Sequence, residues 1–183
     1  MVEDMEDYGI KELRDGITLE DIERHYPWLL KADIKYAVIG ETNDAKLIWY
    51  DGIWKEGIWK NGIWKIGDWE NGKWKDGLWE KGLWRQGKWE DGTWKDGTWK
   101  DGLWKKGLWK NGLWKDGIWE RGIWKDGKWE QGTWEGGVWE DGIWEQGIWK
   151  KGTWEDGLWK YGVWEDGLWK DEKWEDGIWE QGT

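Results

Sequence analysis

From Trp49 to Trp179 a tryptophan stands at every fifth position, twenty-seven in succession. Gly lies two residues before each of them from Gly52 to Gly177, except where Glu172 interrupts. The unit reads Gly-x-Trp-(Lys/Glu)-(Asp/Asn/Gln/Lys), and so short a fixed period means a repeat architecture. A continuous helix cannot carry it. Each period of five would rotate the indole by about 140° and spread the rings over all sides. A continuous strand fails too, because an odd period sends successive rings to opposite faces. The chain must therefore bend once per unit. Asp51-Gly52, Asn61-Gly62, Asp76-Gly77 and Asp91-Gly92 are turn dipeptides that mark the corners.

Two folds obey that rule. One is a β-meander of short hairpins, favoured by Asp-Gly type I′ turns. The other is a β-solenoid, which turns a corner at each Gly and stacks coil on coil. The residue before each Trp chooses between them. Grouped every four units, the column Ile53, Lys73, Thr93, Leu113, Thr133, Thr153, Lys173 is polar at five of seven positions. The next, Ile58, Leu78, Thr98, Ile118, Val138, Leu158, Ile178, is polar once. The third, Ile63, Leu83, Leu103, Ile123, Ile143, Val163, Thr183, is polar only at its end. The fourth is evenly split. This contrast predicts a 20-residue coil of four units. The charged residue following each Trp does not support it: opposite signs occur in ten of twenty-two pairs at 20-residue spacing. At 10-residue spacing like signs prevail, eighteen of twenty-four.

Energetics favour stacking over isolated units. Burying one indole removes ~150–250 Å² from water, worth at most about 5 kcal/mol. Fixing five backbone residues costs roughly 5–10 kcal/mol. Contacts between coils must supply the difference, and the ends of the stack need caps. The helical head is the candidate N-terminal cap, and Glu172 predicts fraying of the last coil.

The pattern resembles the pentapeptide-repeat family of right-handed, four-sided β-helices. Gly92-Thr93-Trp94-Lys95-Asp96 matches that family's small residue two places before a large apolar centre, although Trp replaces the usual Leu or Phe. The resemblance covers residues 46–183 and implies a mainly β, right-handed quadrilateral β-solenoid with a small N-terminal helical cap. It also brings inhibition of topoisomerases by DNA mimicry as an alternative, which the near-neutral rod does not favour.

Residues 1–45 form a distinct acidic head, with five Lys/Arg against twelve Asp/Glu. Thr18 followed by Asp21 is a capping-box-like helix start, and Pro27 ends that helix. A second helix is expected from about Lys31 to Val38. Gly16-Ile17-Thr18-Leu19-Glu20-Asp21-Ile22, Tyr26-Pro27-Trp28-Leu29 and Asp33-Ile34 resemble the core of the DUF433 family, small antitoxin-like proteins with a helix-turn-helix. The strand that family carries upstream is not apparent in the sequence. The resemblance implies, as a second alternative, a regulator acting through the head.

Composition narrows function further. Net charge is −11, and neither part carries the basic footprint of nucleic-acid binding. There is no Cys, hence no disulfide framework or thiolate site, as suits a reducing compartment. No apolar run approaches the ~20 residues needed to span a bilayer. The acidic first seven residues lack the apolar stretch of a signal peptide, so a cytoplasmic protein is expected. His25, the only histidine, can build neither a triad nor a multi-His metal site. The glycines do not fit a phosphate loop. No enzyme activity, cofactor, metal or small-molecule substrate is expected.

The expected work is that of a non-catalytic structural or interaction rod. If the indoles point inward, the residues before them point outward. Ile58, Ile63, Leu78, Leu83, Leu103, Ile118, Ile123, Val138, Ile143, Leu158 and Val163 then form the candidate interface, on two adjacent faces. A protein partner or a second copy, as in a homodimer, is the expected occupant.

Overall fold

The computed structural model describes residues 5–170 and 178–179. It is a mainly parallel β-solenoid with a short N-terminal head. Each pentad contributes a two-residue strand ending on its Trp, as in Thr93–Trp94 and Leu108–Trp109. The rungs are parallel and in register at a spacing of fifteen residues: Trp94 pairs with Trp79 on one side and Trp109 on the other. This excludes the meander, whose neighbours would be antiparallel. It also corrects the coil size. Three pentads close a turn, not four, so the tube is triangular rather than quadrilateral.

The physical reason lies in the indoles. Every Trp from Trp49 to Trp164 is fully buried. Rings fifteen residues apart stack nearly flat, as Trp84 on Trp99 at 4.6 Å and 7°. Rings five residues apart meet edge to face, as Trp94 and Trp99 at 6.1 Å and 75°. Three such rings fill the cross-section. Four would hold their centres further apart and leave an axial void, with the loss of dispersion contact that voids bring. From Trp49 to Trp154 the indole N–H groups have no hydrogen-bond acceptor. An orphaned donor costs about 1–3 kcal/mol. The edge-to-face geometry offsets part of that, since it sets the electropositive ring edge against a neighbour's π face.

Glycine makes the corner. At Gly112, φ is +125°, and a Cβ built there would lie 2.5 Å from the carbonyl oxygen of Gly97 in the coil below. Both the backbone conformation and the close approach of coils exclude a side chain. The preceding Asp or Asn stabilises the bend with its own side chain: Asp76 Oδ1 accepts from the Gly77 N–H at 2.7 Å. Each pentad adds two inter-coil backbone bonds. Thr93 N–H donates to Gly77 C=O at 2.9 Å, and Lys95 N–H to Trp79 C=O at 2.8 Å.

The head is built differently from the expectation. Strand β1 (Ile10–Leu13) lies parallel to β2 (Asp33–Glu41), which pairs antiparallel with β3 (Leu47–Glu56), the strand that opens the rod. Helix α1 (Leu19–His25) starts on the foreseen capping box of Thr18 and Asp21 and stops before Pro27. The second helix expected over residues 31–38 does not form. Leu29–Lys31 makes a single 3-10 turn, and the segment beyond it is β2. Ile34, Ala37, Val38 and Ile39 are buried there, so sheet pairing overrides the helical reading. Among the described residues no helix-turn-helix forms, whereas an upstream strand, β1, is present.

This head closes the N-terminal end of the tube. β2 occupies the open edge of β3, with Ile39 opposite Trp49 and Ile34 opposite Trp54. An otherwise bare ladder is thereby paired. The remaining side, which begins at β4 (Ile58–Trp59), is covered by Trp28, whose ring meets Trp59 at 5.3 Å and 78°. Glu172 and the fraying foreseen there lie outside the described residues.

Candidate interaction faces

Three flat faces run along the rod. Because side chains alternate on a strand, the residues before and after each inward Trp both point outward. The three-unit coil redistributes the columns read from the sequence. The first face carries Ile63, Leu78, Thr93, Leu108, Ile123, Val138, Thr153 and Leu168 in succession. The second carries Leu83, Thr98, Leu113, Ile143 and Leu158, broken by Asp68 and Lys128. The third carries Ile58, Lys73, Lys88, Leu103, Ile118, Thr133, Ile148, Val163 and Ile178.

The candidate interface residues thus divide among three faces instead of two. Ile63, Leu78, Ile123 and Val138 share the first. Leu83, Ile143 and Leu158 share the second. Ile58, Leu103, Ile118 and Val163 share the third. All eleven reach the surface, and Ile58, Ile118, Ile123 and Ile143 are the most exposed of them. Sequence reasoning missed Leu108 and Leu168, which complete the first face, and Ile148 on the third. The first face is the one whose pre-Trp column holds no charge from Ile63 to Leu168.

The charged residues after the Trp form ladders beside these columns. Glu80 bridges Lys65 and Lys95 at 3.0 and 3.2 Å, one coil below and one above. Burial raises the Glu80 pKa, and the two ammonium partners outweigh it, leaving the carboxyl below its ordinary range. Glu145 is held between Lys160 at 3.1 Å and Lys128 at 3.3 Å. Its pKa is lowered chiefly by the Lys160 hydrogen bond, against some desolvation, with Lys128 adding to the effect. A sequence signal for this arrangement existed. At 15-residue spacing, opposite signs occur in fourteen of twenty-three pairs, against ten of twenty-two at 20.

Other candidates resolve into structural roles. The corner carboxylates Asp126, Asp141 and Asp156 stack in consecutive coils, each accepting from the N–H of the following Gly at 2.6–2.7 Å. Among the described residues, no cluster of three or more His, Asp or Glu could hold a metal ion. His25 is exposed at the end of α1, its ring edge-on to Tyr26 at 6.2 Å. The Tyr26 O–H donates to Glu41 and its oxygen lies 2.9 Å from the Ala45 carbonyl oxygen, and burial together with Glu41 pushes its pKa up. These contacts lock the β2–β3 turn to α1. Among the described residues, no helix is long and apolar enough to cross a membrane.

These features define a tryptophan-cored β-solenoid repeat protein. Compared with protein-family models, curated proteins and solved structures, the chain matches none.

Proposed function

We propose that the chain is a non-catalytic structural or protein-interaction rod that works in the cytoplasm. One observation carries the reading: the first face offers a strip of aliphatic and Thr side chains, unbroken by charge, along the length of a rigid support. Apolar rows of this kind, rimmed by charge, mark protein contact surfaces. The support is rigid because each indole sits between four others and each pentad adds two backbone bonds to the coil below. The missing cysteines suit a reducing compartment.

Amine cross-linking of the full chain inside the cell that makes it, read by mass spectrometry, tests this. Lys65, Lys95, Lys110, Lys125 and Lys170 flank the first face, and Lys60, Lys75 and Lys105 flank the third. The reading expects the first group to link to another protein chain, its own kind or a different one, well above the second. Equal and sparse linking of both groups sinks it.

A further inference from the structure

We propose that the first face binds a second copy of the same chain, antiparallel, with Ile123 on the two-fold axis. This rests on the reading of the rod as an interaction surface and names its occupant. Face-to-face packing of two antiparallel rods requires a two-fold axis lying along the strand direction. That axis reverses the rod but keeps lateral position, so each column meets its own copy in reverse order.

The pre-Trp column is close to palindromic about Ile123. Leu108 meets Val138, Thr93 meets Thr153, and Leu78 meets Leu168. The charged column after the Trp is complementary in the same register. Lys110 meets Glu140, Lys95 meets Glu155, and Glu80 meets Lys170, three opposite pairs and no like pair off the axis. Shifting the axis by half a coil towards the N-terminus leaves one opposite pair against three like ones. Parallel packing sets this column against the corner column and gives as many like pairs as opposite ones. The corner column itself is less discriminating in the proposed register: Asp91 meets Lys151, Asp76 meets Asp166, and Arg121 meets its copy.

The isolated chain shows why a partner is needed. Lys95, Lys110 and Lys125 follow one another in consecutive coils, about 4.8 Å apart, and so do Glu140 and Glu155. Like charges directly opposite on neighbouring strands are destabilising. Lys95 and Lys125 are partly neutralised by Glu80 and Glu140, at 3.2 and 3.3 Å. Lys110 has no ion pair within the chain among the described residues. The antiparallel copy sets Glu155 and Glu140 over Lys95 and Lys110, and those lysines over the two glutamates, while Lys125 meets its own copy on the axis.

Light scattering and sedimentation of the full chain test this, with near-ultraviolet circular dichroism as the check on folding. The wild type is expected at twice the 22.1 kDa chain mass. Ile123→Lys should raise the dimer dissociation constant at least tenfold, and Ile118→Lys, on the third face, should leave it unchanged. Lys110→Glu and Glu140→Lys should each weaken the dimer, and the two together should restore it. A wild type that is monomeric, equal effects of Ile118→Lys and Ile123→Lys, or a double charge reversal no better than either single one overturns the proposal. Should Ile123→Lys lose its fold, the charge reversals decide alone, since both side chains lie at the surface. A monomeric wild type whose first face still cross-links to a different protein overturns the dimer and leaves the rod reading standing.

Discussion

The indole of Trp94 lies flat on that of Trp109, ring centroids 4.8 Å apart and planes 5° from parallel. The same relationship repeats along three columns, and each column touches the next edge to face. Stability is therefore nearest-neighbour in kind, and damage should stay local.

Removing one ring tests that. Trp109→Ala should cost about 3–5 kcal/mol, the range for a buried aromatic replaced by a cavity. Hydrogen exchange should quicken in the coils on either side and remain unchanged in the head. The intense near-ultraviolet exciton bands expected of ordered, stacked indoles should weaken without vanishing.

Two glycines should respond in opposite ways. Gly112→Ala places a Cβ 2.5 Å from a backbone oxygen at φ +125° and should be severely destabilising. Gly136 has no such φ, and its Cβ would meet Lys151 at an ordinary 3.6 Å. Gly136→Ala should be neutral or stabilising by about 0.4–1 kcal/mol. Thermal melts of the two variants make the comparison.

The head should matter as a lid. Trp28→Ala uncovers Trp59 and Trp54, whose rings it meets at 5.3 and 6.4 Å. Amide exchange should accelerate over residues 48–64 while residues 120–160 keep wild-type protection. Equal acceleration along the rod would show that Trp28 is no cap. Thr18→Ala, which breaks the capping box, should cost about 0.5–2 kcal/mol of head stability.

Acid should loosen the charge ladders. The Glu145 carboxyl is depressed in the folded chain, so its contribution is present above the ordinary Glu value. It is lost as pH falls through the lower folded value. At partly exposed pairs like these, each bridge is worth about 0.2–1 kcal/mol. The melting temperature of the wild type should drop more steeply on acidification than that of Glu145→Gln, and added salt should narrow the gap.

The pentad itself dictates most of the architecture: an inward Trp, a Gly corner and a charged outer ring follow from an odd period and from turn chemistry. Residues 16–27 likewise announce a capped helix that stops at Pro27. The number of units per coil was not legible in the residues before the Trp. Those side chains point to solvent, where Ile, Thr and Lys are all tolerated, so their 20-residue contrast corresponds to no column in the structure. The charges two places later, just after each Trp, did carry the 15-residue spacing, because they touch across coils. The fate of residues 33–41 was decided by tertiary structure alone, where the unpaired edge of β3 offers hydrogen bonds that an isolated helix could not match. Local sequence sets where this chain bends and which ring turns inward. How far it turns at each bend is set by how many indoles close a cross-section without a void, a packing condition that exists only once the coils lie on one another.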